Sequence, residues 1–155
     1  MNIRSAVPED YINFRNMAKN CSPLDIHTPY TYWVVGQFFS EGCFLLEDNE
    51  KIVGSIMTVT KDDTVFIWQI AILAEYRGKG LSDMLYEAVY NYAKGKGIER
   101  IMLSIDPSNL NSLSAFRRFC EKRQLNYRKQ GTVDINIPEE AYTEYENIYE
   151  IYGGR

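Results

Sequence analysis

Long apolar runs are missing from this chain of 155 residues. No stretch approaches the roughly 20 residues that span a bilayer, and the first residues lack the apolar core of a secretory leader. The expectation is a cytoplasmic chain with no membrane contact. Cysteine is scarce. Cys21, Cys43 and Cys120 are an odd number without metal-like spacing, and they read as buried or idle thiols in a reducing compartment. Histidine occurs once, at His27, so a zinc site is not expected, nor any other metal. An excess of positive charge is lacking too. The net charge of −4 argues against a nucleic-acid binder that relies on a broad basic surface, and it suits a cationic partner such as an amine. Repeats, low-complexity tracts and linkers are absent, so residues 1–155 read as a single domain long enough for a proper core.

What the chain does contain is one organising stretch, TVFIWQIAILAEYRGKGLSDML, from Thr64 to Leu85. Its first half, Thr64 to Leu73, is a near-continuous apolar run rich in β-branched and aromatic residues, which predicts a buried strand. Gly78-Lys79-Gly80 follows a short connection, and Leu81, Leu85, Ala88, Val89 and Tyr92 then recur at helical spacing. Strand, glycine turn and helix together make an anion site, because unpaired N–H groups and the positive end of the helix dipole meet there. Gly78 and Gly80 free the backbone to approach a ligand, and Arg77 and Lys79 add mobile positive charge. A phosphate or pyrophosphate is the expected guest. The pattern is not a Walker loop, since Lys79 is followed by Gly80-Leu81. It is not a dinucleotide fingerprint either, since Asp83 stands where the third glycine belongs.

The remaining chain fills in around this stretch. Asn2 to Ala6 reads as a strand, and Pro8-Glu9-Asp10 opens a helix with Tyr11, Phe14, Met17 and Ala18 on its apolar face. Cys21 to Tyr30 is a loop, after which Thr28 caps a helix with Pro29 at its first position. Cys43 to Glu47 and Lys51 to Thr60 form a hairpin around Asp48-Asn49-Glu50. Gly95 and Gly97 end the long helix, Arg100 to Ile105 is a strand, and Ser108 or Asn109 caps a helix to about Lys122. Two last strands in the tail, Gln124 to Tyr152, join through Pro138-Glu139-Glu140. The order β-α-α-β-β-β-α-β-α-β-β predicts an α/β fold, a mixed central sheet with helices on both faces.

Ile70-Ala71-Ile72 followed by Arg77-Gly78-Lys79-Gly80-Leu81 resembles the acetyl-CoA signature of the GNAT N-acetyltransferases. The resemblance implies that the amides of Gly78 to Ser82 hold the pyrophosphate of coenzyme A. It implies too that the backbone of Ile70, Ala71 and Ile72 pairs with the pantetheine arm and polarises the thioester. Asn109 and Ser112 fall beside the cofactor's sulfur by the same likeness. Two departures stand out. Glu75 replaces the usual Gln or Arg before the first glycine, and Phe116 replaces the tyrosine that commonly protonates the leaving thiolate. Phe116 reads better as helix core, and the proton then comes from elsewhere or from water.

Pro23-Leu24-Asp25 with Tyr30 and Tyr32, Phe66-Ile67-Trp68-Gln69-Ile70-Ala71-Ile72, and Ser104 to Phe116 are similar to one GNAT branch, the 2,4-diaminobutyrate acetyltransferases of ectoine synthesis. His27-Thr28, Asp106, Asn111 and Glu150 depart from that branch's pattern. A diamino acid needs a carboxylate for its ammonium, which Asp25 or Glu146 supplies. It also needs donors for its own carboxylate, drawn from Tyr30, Tyr32, Trp68 and Gln69. Strand alternation sends Trp68 and Gln69 to opposite faces unless a bulge intervenes. Asp25 has a second reading, as a turn residue bonded to its own loop. The expected activity is acetyl transfer from acetyl-CoA to a primary amine of a small cationic metabolite, with Asp25, Glu146 or water taking the proton. A protein or peptide acetyltransferase and a non-catalytic acyl-CoA sensor stay open, as does a homodimer.

Overall fold

The computed structural model describes residues 1–21 and 24–153, so the loop reading over Ser22 and Pro23 lies outside the described residues. Seven strands make one sheet: β1 (Asn2–Ser5), β2 (Phe44–Asp48), β3 (Lys51–Lys61), β4 (Thr64–Ile72), β5 (Arg100–Ile105), β6 (Asn126–Ile137) and β7 (Tyr142–Gly153). Their spatial order is β1-β2-β3-β4-β5-β7-β6. Four helices join them, α1 (Tyr11–Asn20), α2 (Pro29–Phe39), α3 (Leu81–Gly95) and α4 (Leu110–Lys122), and the chain order matches the sequence expectation. Among the described residues no helix is long and apolar enough to cross a membrane.

Local chemistry sets the boundaries. The Thr31 N–H donates to Thr28 Oγ1 at 3.2 Å, which starts α2 with Pro29 at its first position. Asn49 and Glu50 both take positive φ, 49° and 69°, as a two-residue hairpin turn between β2 and β3 requires. The buried Asp10 carboxylate accepts from the Val7 N–H and from both ends of the Arg4 guanidinium, each at 2.8 Å, and so ties β1 to the start of α1.

The sheet has an apolar layer on each face. On one side Leu46, Val53, Ile56, Val65 and Ile67 meet Leu85 and Val89 of α3 and Phe116 and Phe119 of α4. On the other, Leu45 and Met57 meet Phe14 of α1 and Tyr32 and Val35 of α2. Phe116 is fully buried among the rings of Tyr86, Tyr127 and Tyr149, with centroids 5.2 to 6.2 Å away, so its core reading holds.

All neighbouring strands run antiparallel except β4 and β5, which are parallel. That pair is short. It runs only from Thr64 opposite Arg100 to Ile67 opposite Leu103, although β4 continues to Ile72 and β5 to Ile105. At the same point β4 carries a bulge against β3: Thr58 pairs with Ile67, Met57 with Gln69, and Trp68 is the extra residue. A bulge bends its strand and ends regular pairing. The two strands therefore part just beyond Ile67.

Beyond the other end of that pair, Glu150 closes the sheet electrostatically. Its carboxylate is buried on β7 and accepts from Arg100 Nε at 2.5 Å and Arg128 Nη2 at 2.9 Å, one arginine from each flanking strand. Burial opposes the charge, but the two arginines outweigh it and hold the carboxyl below the ordinary glutamate value. Its contribution is complete above the unfolded glutamate value of about 4.3 and is lost as the pH falls through the lower folded-state value. Glu150→Gln should cost about 1–3 kcal/mol at neutral pH, the range for a hydrogen bond to a charged group. Urea unfolding from neutral pH down to the acid limb should show the wild-type advantage shrinking; equal stability at neutral pH would remove the pair from the account.

Candidate active site

The parted strands open a cleft of about 840 Å³. One wall is Ile70–Ile72 of β4. The others are the glycine turn with the first turn of α3, and the start of α4, where Asn109 and Ser112 lie. All the residues the sequence assigns to the cofactor therefore line one cavity: Ile70, Ala71, Ile72, Arg77, Gly78, Lys79, Gly80, Leu81, Ser82, Asn109 and Ser112.

Alternation shows what the β4 wall offers. The Leu73 N–H donates to Val53 O on β3 at 2.9 Å. Leu73 and Ala71 thus direct their backbone groups to β3, and Ile70 and Ile72 direct theirs to the open edge. Accordingly, Ile72 O accepts from Arg77 Nε at 2.9 Å, from the cleft side. The backbone of Ile70 is left facing the gap where β5 would have paired.

Gly78 and Gly80 adopt φ of +76° and +74°. A Cβ at either would meet no atom, so glycine is required by backbone conformation and not by crowding. Gly80 sits at the N-cap of α3, and no side chain there accepts from the helix's first N–H groups. Those groups point into the cleft uncapped, as an anion site needs. Lys79 rests with its Nζ 5.3 Å from the centre of the Tyr76 ring, beside the loop. Glu75 faces away and pairs with Lys51 at 3.4 Å. Asn109 is partly occupied, since its Oδ1 accepts from the Ser112 N–H at 3.2 Å and caps α4.

A second group of residues meets where the cleft reaches the α1/α2 face of the sheet. The bulge lets Trp68 and Gln69 both engage the loop before α2. His27 packs on Trp68 with centroids 5.2 Å apart, and Gln69 Nε2 donates to Asp25 O at 2.9 Å. The buried Tyr32 donates its hydroxyl to Gln69 Oε1 at 3.3 Å. Tyr30, two residues earlier on the helix, points elsewhere: it is 72% exposed and stacks on Trp33 with centroids 6.0 Å apart. The structure thus brings together Asp25, Tyr32, Trp68 and Gln69, and leaves Tyr30 outside.

β7 adds a row the sequence showed only in part. Tyr142, Glu144 and Glu146 share one face at alternate positions, and the Tyr142 hydroxyl donates to Glu144 Oε1. Burial raises the Glu146 carboxyl above the ordinary glutamate value, opposed by a hydrogen bond from Ser104 and reinforced by contact with Glu144. The hydrogen bond from Tyr142 lowers Glu144. His27, Ser104, Tyr142 and Glu144 are the members that sequence reasoning missed. A period-two row of Tyr142, Glu144 and Glu146 was the available signal. The three thiols stay out of this chemistry: all are buried, and desolvation pushes Cys43 up to about 11 and Cys120 up to about 12, well above reactive range.

Comparison with known proteins agrees with this geometry. Residues 11–121 match the model of the acetyltransferase (GNAT) family. The L-2,4-diaminobutyric acid acetyltransferase of Halomonas elongata is 32% identical over 138 residues, covering 85% of this chain and 72% of that one. The enzyme of the same name from Marinococcus halophilus is 32% identical over 119 residues, covering 75% and 69%. The fold superposes on diaminobutyrate acetyltransferase EctA from Paenibacillus lautus, solved with L-2,4-diaminobutyric acid and coenzyme A, with a TM-score of 0.85 and 23% identity over 98% of this chain and 94% of that one. An uncapped glycine turn, an open strand edge beside it and a family match over most of the chain lead to one conclusion: the chain belongs to the GNAT family of acetyl-CoA-dependent acetyltransferases.

Proposed function

We propose that this protein moves the acetyl group of acetyl-CoA to a primary amine of a small metabolite bearing a second amine, the class that includes the 2,4-diaminobutyrate named for its relatives. The observation that carries this reading is the open Ile70–Ile72 edge, with the uncapped α3 N-terminus at one end and a carboxylate-lined chamber at the other. In this reading Gly78 to Ser82 hold the pyrophosphate through backbone N–H groups, with Arg77 and Lys79 nearby. Asn109 and Ser112 flank the arm, and Ile70 to Ile72 pair with it. The Ile70 N–H, facing the gap, donates to the thioester oxygen as it becomes an oxyanion. Removing a donor of that kind costs about 3–4 kcal/mol of transition-state stabilisation.

The acceptor arrives as an ammonium and must lose a proton before its lone pair can attack. Glu146, raised by burial, takes that proton, which suits a base better than an ordinary carboxylate does. The neutral nitrogen attacks the thioester carbon to give a tetrahedral intermediate. Collapse breaks the C–S bond, and the second proton of the nitrogen goes to the leaving thiolate directly or through water. Phe116 takes no part, having no proton to give. Asp25, Tyr32, Trp68 and Gln69 shape the acceptor side and fix the amine near Glu146, and this positioning supplies much of the rate gain.

Three outcomes are expected. Gly80→Val forces a β-branched residue to φ near +74° and displaces the first N–H groups of α3, so calorimetry should show coenzyme A affinity falling at least tenfold, about 1.4 kcal/mol. Unchanged affinity in a folded variant would contradict the cradle. The acid limb of kcat/KM should lie above the ordinary glutamate range near 4.3 and vanish in Glu146→Gln; a profile of the same shape in that variant would move the base elsewhere. Asp25→Asn should lower kcat/KM for a diamine roughly tenfold to a hundredfold, as loss of a charge-assisted bond does, with coenzyme A affinity unchanged. A lowered melting temperature with intact turnover would instead make Asp25 a turn residue.

A further inference from the structure

The charges around the acceptor chamber are of one sign. Ser104 of β5 stands opposite Ile148 of β7, so Glu146 and Glu144 follow Ile148 along the same face, and Asp106 follows Ser104. Asp25 enters from the loop before α2, where Gln69 holds its backbone. The Asp106 carboxylate is anchored by the Ser108 N–H at 2.9 Å and hydroxyl at 2.8 Å, and both bonds favour its ionised form. Four carboxylates thus border one space. Among the charges that act on Glu144, Glu146 and Tyr142, the only group able to become cationic is His27.

The neighbouring arginines do not offset this. Arg100 and Arg128 are both bound to Glu150, at the far end of the β5–β7 row. Arg77 is folded onto Ile72 O in the cofactor cleft. The neutral donors are also engaged: the Gln69 amide donates to Asp25 O, and the Tyr32 hydroxyl donates to Gln69 Oε1. An amino acid's carboxylate entering here would meet four like charges with His27 as its one charged partner. A second ammonium would meet the opposite situation, and charge complementarity of this kind governs which partner is excluded.

We propose that the acceptor is a short diamine or linear polyamine without a carboxylate, its reacting amine at Glu146 and its far ammonium held by Glu144 together with Asp25 or Asp106. This rests on the reading of the chamber as the acceptor side of an acetyltransferase. It makes Glu144 a specificity-determining residue. The side chain is placed for that role by its position two residues from Glu146 on the same strand face and by the Tyr142 hydroxyl that orients it.

The test is thiol release from acetyl-CoA with putrescine, L-2,4-diaminobutyrate and butylamine at one neutral pH. Putrescine should exceed diaminobutyrate in kcat/KM by at least tenfold, and Glu144→Gln should shrink the putrescine-to-butylamine ratio about tenfold, mainly through KM. Coenzyme A titration of the variant confirms that it is folded, and the wild-type amine series decides the matter even if it is not. A preference for diaminobutyrate over putrescine would overturn this inference and leave acetyl transfer to a diamino acid standing. No thiol release with any of the three amines would overturn the acceptor reading, and this inference with it.

Discussion

One interruption in the sheet governs the rest of the molecule: Trp68 is an extra residue in β4, and the parallel pairing with β5 stops one residue before it. Backbone groups that lose their ladder partner must find another or face solvent. Here they face a cleft, and the Ile70 edge becomes a row of donors and acceptors held rigid by β3 behind it. The same bulge changes the direction of the side chains, so that Trp68 and Gln69 both reach the loop before α2. Cofactor wall and acceptor wall are two consequences of a single insertion.

The electrostatic layout follows from the same sheet. On the α1/α2 face of β5 and β7 the charges are sorted along the strands. Arg100 and Arg128 gather at Glu150, while Glu144, Glu146 and Asp106 are left without an arginine at the open end. Burial then separates the two chamber glutamates, raising Glu146, while the hydrogen bond from Tyr142 lowers Glu144. The chain's net charge of −4 is thus concentrated partly where a cationic acceptor would approach, and the uncapped positive end of α3 serves the opposite guest.

The fold was legible in the sequence because its elements announce themselves locally. Thr28-Pro29, Asn109, and the glycines at 78, 80, 95 and 97 mark helix ends, and Phe116 falls on the buried stripe of α4. The cofactor cleft was legible for the same reason, since it is built from one continuous stretch and the start of a helix. The acceptor chamber was legible only in part. Tyr30 and Tyr32 look equivalent in a motif, yet two residues on a helix point about 200° apart, so only Tyr32 reaches the sheet. Tyr142, Glu144 and Ser104 come from strands far apart in the chain, and only the register of β5 against β7 brings them to Glu146. The bulge at Trp68 depends on which residues of β3 it faces, information that alternation within β4 does not contain.

The central claim is that the unpaired edge of β4 beyond the bulge is where the cofactor's arm binds. Amide hydrogen exchange with and without acetyl-CoA tests it most directly. Exchange should slow at Ile70–Ile72 and across Gly78–Ser82 when the cofactor is added, and stay unchanged at Val65–Ile67, where β4 is already paired on both sides. Equal protection along the whole of β4, or none at Ile70–Ile72 under saturating cofactor, would contradict the account.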